Sequence, residues 1–411
     1  MHTAFRLVSP FNMDSLPTIL LKPGEADRII AGHPWLYEAS ILRQTKVPPD
    51  GSVVQVKDHR QRFLGVGFFN SKSKIRVRVL STDRIEIDEA FFTSRLQRAL
   101  ELRRRHMPDA TSFRLVNAES DGLSGLIVDK YEDVLVVQTS SMGMDHRKDL
   151  IVSCLRKLLK PRAILERNEM ASRKFEGLEE TSGVLFGEVP EEIEVRLNGL
   201  LFHMNLKSGH KTGLYLDQQA NYQLVAQRAR GARVLDCFSF LGGFAIHAAK
   251  AGASQVLAVD QSEDAIAAAR RNCDANGVGA VCGFEAANVF DWFKIRASQR
   301  GDAASTPEWD LIILDPPSFT RNRASVPDAL RGYKEIHLRA LRMLRPGGML
   351  ATFCCSHHVH SELFLDVILS AAFDARKVLR RTAIYSQSPD HPVIPSIPET
   401  EYLKGFAFEL V

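Results

Sequence analysis

Four short segments of this 411-residue chain hold residue types that could do chemistry together. Asp236-Cys237-Phe238-Ser239-Phe240-Leu241-Gly242-Gly243-Phe244 sets an acid ahead of a glycine pair. Asp260 ends a second apolar run. Asp315-Pro316-Pro317-Ser318-Phe319 places an acid before two prolines, which stop strand pairing and stiffen the backbone. Cys354-Cys355-Ser356-His357-His358 closes a fourth apolar run with two thiols. Glycine lets backbone amides approach a ligand closely, and a carboxylate such as Asp260 can accept from both hydroxyls of a ribose. The spacing is not G-x-G-x-x-G, which disfavours a pyrophosphate cradle. Gly209-His210-Lys211-Thr212 has histidine where a P-loop needs glycine. Acid, glycine pair and ribose acid without a phosphate loop point to S-adenosylmethionine, with Asp236 suited to its cationic methionine end. Another doubly wound domain with a chance glycine pair stays open.

The two thiols allow three readings. One is a nucleophile, which reacts as thiolate and so needs a lowered pKa or a local base, with His357 as a neighbour. Another is a pair of small buried hydrophobes. The third is a metal cluster with His357, His358 and His360. Adjacent ligands rarely converge on one tetrahedral ion, and no C-x-x-C supports them, so no metal is expected. Strand alternation turns Cys354 and Cys355 to opposite faces. Cys154, Cys237, Cys273 and Cys282 read as structural.

These segments need a frame that brings them together. Residues 232–236, 254–260, 309–315 and 348–354 are near-continuous apolar strands separated by helical stretches, one of them capped by Ser262. Such runs belong to a doubly wound parallel α/β (Rossmann-like) sheet covered on both faces, where ligands sit at the carboxyl ends of the strands. The first 90 residues read instead as short strands. Residues 74–80 alternate, with Lys74, Arg76 and Arg78 on one face, which predicts a small β-barrel with a basic outer face. Residues 88–106 are helical, 111–137 are strand, turn and strand, 145–160 form a helix stopped by Pro161, and strands return through 162–206. The expected division is a tail at 1–16 (Met13 an alternative start), a barrel at 17–90, an α+β middle domain at 91–205, and the doubly wound domain at 206–411.

Net charge is only 53 − 49 = +4, but basic residues cluster. Residues 57–84 carry eight Lys/Arg against Asp58 and Asp83, residues 95–105 add Arg95, Arg98 and Arg103 to Arg105, and residues 321–345 hold seven more. Three clusters in a near-neutral chain suggest surfaces facing a polyanion. No apolar run reaches 18 residues, residues 1–16 lack a signal-peptide core, and six scattered cysteines suit a reducing compartment. A cytoplasmic protein without a membrane partner is expected.

From about residue 17 onward the chain resembles the class I methyltransferases that modify C5 of cytosine in large-subunit ribosomal RNA. The resemblance rests on Asp315-Pro316-Pro317-Ser318-Phe319, on Leu21-Lys22-Pro23-Gly24-Glu25, on Gly32-His33-Pro34-Trp35-Leu36-Tyr37, and on Lys211-Thr212-Gly213-Leu214-Tyr215-Leu216-Asp217-Gln218. It implies that the first domain is an RNA-binding PUA domain and that S-adenosylmethionine is bound by Lys211, Tyr215, and Asp217 or Gln218. Asp236, Phe238, Ser239, Gly242, Asp260, Asp315 and Pro316 complete the expected pocket. Where the family tends to have an acid near the adenine, this chain has Asn288, with Asp291 three residues on. The resemblance further implies Cys355 as the nucleophile that adds to cytosine C6, and Asp315 as the acid that binds the base. A single-stranded or flipped cytosine of ribosomal RNA is the implied partner; whether the chain forms a homodimer is left open. Methylation at guanine N7, which needs no thiolate, a non-catalytic RNA-binding assembly factor and a small-molecule methyltransferase are the competing readings.

Overall fold

The computed structural model describes residues 13–206, 213–299, 309–320 and 322–411. The chain divides into two compact units, the first comprising residues up to Pro108 with Phe113–Val189 and Val393–Thr400, the second Asp109–Ser112, Pro190–Pro392 and Glu401–Val411.

The first unit opens with strand β1 (Thr18–Leu21), a short helix α1 (Asp27–Ile30), and strands β2 (Trp35–Tyr37), β3 (Ile41–Gln44), β4 (Val53–Lys57), β5 (Phe63–Phe69) and β6 (Ile75–Ser81). They form one sheet in the order β2-β6-β5-β4-β1-β3, with β1 parallel to β4 and the other pairs antiparallel. Ile19, Leu21, Leu36, Val54, Val56 and Val77 close its core. Helix α2 (Glu89–His106) follows, capped by Asp88, whose carboxylate accepts from Phe91 N at 2.9 Å. Strands β7 (Phe113–Asn117), β8 (Leu126–Tyr131) and β9 (Val134–Thr139) lead to helices α3 (Met142–Asp145) and α4 (Lys148–Leu159), then β10 (Ala163–Arg167), a 3₁₀ turn at Ala171–Glu176, and β11 (Ser182–Gly187). The second sheet runs β11-β10-β9-β8-β7.

The expected basic outer face of the barrel is corrected here. Of Lys74, Arg76 and Arg78 only Lys74 is exposed. Arg76 pairs with Glu38 at 2.8 Å, and Arg78 is buried between Glu176 (2.8 Å) and Glu119 (3.4 Å), over the ring of Trp35. A guanidinium taken out of water needs such carboxylates, because breaking a buried pair leaves an uncompensated charge. Arg103 of the second cluster is likewise fully buried, holding both oxygens of Asp121. In the third cluster Arg331, Lys334, Arg339 and Arg345 pair with Asp328, Asp374, Glu335 and Asp310; Arg321 lies outside the described residues.

The second unit starts with the hairpin β12 (Ile193–Leu197) and β13 (Leu200–Met204), so the division of contacts falls near residue 190 rather than 205. Then come α5 (Gln219–Ala226), β14 (Arg233–Cys237), α6 (Gly243–Lys250), β15 (Gln255–Asp260), α7 (Glu263–Ala275), β16 (Cys282–Ala286), α8 (Val289–Gln299), β17 (Trp309–Leu314), α9 (Val326–Met343), β18 (Leu344–Cys354), α10 (Ser361–Ala375), β19 (Leu379–Ser386) and β20 (Lys404–Leu410). The hairpin is held by α7 and its C-cap, where Asn272 and the capping Asn276 accept from His203 N (2.8 Å) and Leu201 N (3.0 Å). The sheet order is β16-β15-β14-β17-β18-β20-β19. Five strands are parallel; β20 runs antiparallel to both β18 and β19. Helices cover both faces, and Leu235, Ile312, Leu314, Leu350 and Cys354 lie in the core.

Two buried histidines make this unit acid-sensitive. His247 Nδ1 donates to Gly243 O (2.7 Å) and His337 Nδ1 to Tyr333 O (2.6 Å), while their Nε2 atoms face the Asn198 amide (3.1 Å) and the Thr352 hydroxyl (2.8 Å). Each neutral ring is satisfied, and burial lowers each pKa from 6.5 to about 4. The unfolded chain therefore takes up protons first, and stability falls as pH drops from about 6.5 to about 4. The expected loss is ~3 kcal/mol per histidine at completion. Urea melts across this pH range check it; a flat midpoint would contradict it.

Candidate active site

Parallel register brings the four chemical segments to one edge of the sheet. Cys237 pairs with Val259 on one side and Leu314 on the other, and Leu314 pairs with Thr352. Asp236, Asp260, Asp315 and Cys355 thus stand at or just past the carboxyl ends of β14, β15, β17 and β18.

The turn after β14 is wound tightly. Phe238, Phe240 and Gly242 all take left-handed φ (63°, 48° and 84°), a region in which phenylalanine is strained by about 1–3 kcal/mol. What holds it is a set of bonds to β15: Phe238 N and Ser239 N donate to Val259 O (2.8 and 3.1 Å), and Phe240 N to Asp260 Oδ2 (2.9 Å). The second glycine has another purpose. A Cβ on Gly243 would meet the Tyr222 ring at 2.5 Å, so only glycine lets α6 start there.

Asp236 is fully buried. Its Oδ2 accepts from Ala245 N at 3.0 Å, whereas Oδ1 has no partner, nor has the buried hydroxyl of Ser239. Burial, and then the charge of Asp315, push its carboxyl well above the usual range. Buried polar atoms are rarely left unpaired. Two on one turn fit a ligand bearing both cationic and hydrogen-bonding groups, as the methionine end of S-adenosylmethionine does. Asp260 uses one lone pair of each oxygen on Phe240 N and Ser262 N (both 2.9 Å), which leaves the others for two ribose hydroxyls.

The other expected pocket residues fall into place unevenly. Tyr215 packs edge-on to Phe240, ring centroids 5.2 Å apart. Its phenol is pushed well above its ordinary pKa, first by burial and then by the negative charges of Asp315, Cys355, Asp217 and Asp260. Asp217 Oδ2 accepts from Tyr402 OH at 2.6 Å. Gln218 is buried and accepts from Asn221 Nδ2 at 2.6 Å. Asn288 is exposed, and its side-chain oxygen caps α8, taking Phe290 N at 3.0 Å; only its amide N–H groups stay available to an adenine edge. Lys211 lies outside the described residues.

The two cysteines separate as alternation requires. Cys354 is fully buried and donates to Tyr333 OH at 3.3 Å. Cys355 is half-exposed, its Sγ 3.9 Å from the carbonyl oxygen of Pro316, one residue beyond Asp315. The loop that follows is fixed from two sides: Ser356 hydrogen-bonds Thr320, and Lys404 Nζ donates to Ser356 O (2.6 Å) and Val359 O (2.7 Å). His357 is exposed, its ring 5.5 Å from that of Tyr402. Lys404, Tyr402 and Thr320 were not legible as site residues, since each depends on a distant pairing. Among the described residues no group of three His, Cys, Asp or Glu could hold a metal ion, and no helix is long and apolar enough to cross a membrane.

Residues 19–82 match the PUA-like domain family, and residues 172–394 match the S-adenosylmethionine-dependent methyltransferase family. A protein of Pseudoalteromonas atlantica named ribosomal RNA large subunit methyltransferase I is 40% identical over 94% of this chain and 98% of its own length. A protein of the same name from Klebsiella pneumoniae is 37% identical over 96% and 98%. Among solved structures, a Streptococcus mutans methyltransferase superposes with TM-score 0.79 at 22% identity, covering 95% of this chain and 99% of that one. Another methyltransferase, solved with S-adenosylhomocysteine, gives TM-score 0.81 at 23% identity over the same shares, which shows the shared fold.

Proposed function

This chain belongs to the ribosomal RNA large subunit methyltransferase I family and uses S-adenosylmethionine, and from that premise we propose that it methylates C5 of a cytosine in large-subunit ribosomal RNA through Cys355. The observation that carries the proposal is the contrast within the thiol pair: Cys354 is sealed in the core, whereas Cys355 is only half-buried, its Sγ 3.9 Å from the carbonyl oxygen of Pro316, the residue after Asp315.

C5 of a pyrimidine is too weak a nucleophile to take a methyl group unaided. The Cys355 thiolate forms a bond to C6, and the electron pair of the C5–C6 double bond shifts toward C5. Asp315 donates a proton to N3 and so stabilises the charge that addition pushes into the ring. S-adenosylmethionine, when bound, supplies the electrophilic methyl group that C5 takes. Loss of the C5 proton to a base then re-forms the C5–C6 double bond as the C6–S bond breaks to release Cys355 as thiolate, and N3 gives its proton back to Asp315. Asp260 holds the cofactor's ribose, and Asp236 with Ser239 its methionine end. C6 of a stacked cytosine is shielded, so the base must be single-stranded or flipped out. An enzyme of this kind works in the cytoplasm, where ribosomal RNA is assembled.

The test is mass spectrometry of nucleosides from large-subunit ribosomal RNA incubated with the protein and isotopically labelled cofactor. Label in 5-methylcytidine is expected. Label in 7-methylguanosine, or none, would contradict the reading. Asp260→Ala is expected to weaken cofactor binding by about 10²- to 10⁴-fold, the loss of two hydrogen bonds to a charged acceptor. Calorimetric titration of the cofactor measures it.

A further inference from the structure

An exposed aromatic ring in the first unit is held rigidly in water. Phe175, in the 3₁₀ turn Ala171–Glu176, is 75% exposed. The residues around it are fixed. Buried Arg173 donates Nε to Glu179 O (2.7 Å) and Nη1 to Asp145 Oδ1 (3.1 Å) and to Thr139 O. Buried Glu176 accepts from Asn70 Nδ2 (3.0 Å), Ser73 Oγ (2.5 Å) and Arg78 Nη2 (2.8 Å). Both flanks are therefore anchored in buried networks, and the ring's exposure does not come from a frayed loop. Leaving a phenylalanine in water forgoes about 1.5–3 kcal/mol of burial.

Glu176 also draws the β5–β6 connection onto this turn. Asn70 Nδ2 reaches Glu176 O at 2.9 Å. Lys72 crosses Gly177 so closely that a Cβ there would lie 2.3 Å from its Cδ, and Gly177 has φ +72°. Lys72, Lys74 and Lys174 are all exposed. The acids at the same turn are Glu179 and Glu180, also exposed; Glu180 pairs with Lys174 at 3.6 Å. Such a surface pair is worth little and is readily exchanged for a phosphate.

We propose that Phe175, flanked by Lys72 and Lys174, is a stacking platform for a base of single-stranded RNA, with the two ammonium groups on its phosphates. A flat apolar face among lysines is the combination that binds a single strand without reading its sequence, because every base has a π-face. Phe175 thus holds a strand and takes no part in selecting the cytosine. The proposal rests on the reading of the substrate as RNA.

Fluorescence anisotropy of a short labelled single-stranded RNA with the full-length chain tests it. Phe175→Ala is expected to weaken binding about tenfold, with an unchanged melting temperature because the ring is exposed. Phe175→Trp should keep the affinity, and the introduced indole's emission should be quenched on RNA addition. Lys72→Gln and Lys174→Gln should each lower the salt slope by about 0.7. Wild-type affinity in Phe175→Ala, or unquenched indole emission with RNA bound, would overturn the platform alone. Failure of the wild-type chain to bind RNA would overturn the RNA reading with it.

Discussion

Cys355→Ala is expected to lower cytosine methylation by on the order of 10⁴-fold or more while leaving cofactor affinity near the wild-type value. Losses of that size follow when the nucleophile of a covalent mechanism is removed and only binding and orientation remain. The neighbouring thiol supplies the control. Cys354→Ala removes a fully buried sulfur that bonds Tyr333 OH, so its cost should appear as about 1–2 kcal/mol of stability. Its methylation rate should stay within a few-fold of wild type. Rate measurements with ribosomal RNA, alongside urea melts, separate the two. Equal rate losses for both variants would mean that packing at the end of β18, and no covalent step, explains the effect.

Asp315→Asn is expected to lower the rate by about 10²–10⁴-fold, the usual contribution of a positioned acid. The side chain keeps its size, so the RNA KM should change little and kcat should carry the loss. There is a second consequence. In its ionised form, before it takes up the proton it gives to N3, Asp315 helps to hold the Asp236 carboxyl above its ordinary range and the Tyr215 phenol likewise. The amide removes that repulsion, so both groups should become more acidic. Single-turnover kinetics with saturating cofactor, run across pH, separates the rate loss from any change in cofactor binding. A wild-type kcat in this variant would remove Asp315 from the chemistry.

The placement of the candidate site's acids at one sheet edge could be read from the chain because they end apolar runs. Asp236, Asp260 and Asp315 each follow residues too hydrophobic for anything except a covered strand, and parallel strands put such ends on one edge. Period-two alternation also separated Cys355 from Cys354. What escaped the sequence depends on partners remote along the chain. Arg78 and Arg103 look like surface cations until Glu119, Glu176 and Asp121 are folded around them. Lys404 has no local sign that its ammonium will clamp the loop after Cys355, which requires β20 to pair antiparallel with β18. The short strand Cys282–Ala286 and the arginine-bearing Leu379–Ser386 lie at the sheet edges and lack the apolar continuity of the central four. The left-handed phenylalanines of the turn after β14 run against their own propensity, and only the bonds from β15 make that conformation stable.

The most direct measurement of the central claim is a trap for the bond between Cys355 and the base. Ribosomal RNA containing 5-fluorocytidine presents a C5 that, once methylated, has no proton to lose, so the thiol cannot be expelled. Incubated with cofactor and examined under denaturing conditions, the wild-type chain should migrate as a stable RNA conjugate. Digestion and mass spectrometry should place the linkage on the peptide bearing Cys355, and Cys355→Ala should yield no conjugate. A conjugate formed equally by Cys355→Ala, or its absence from a wild-type preparation that methylates unmodified RNA, would contradict the account.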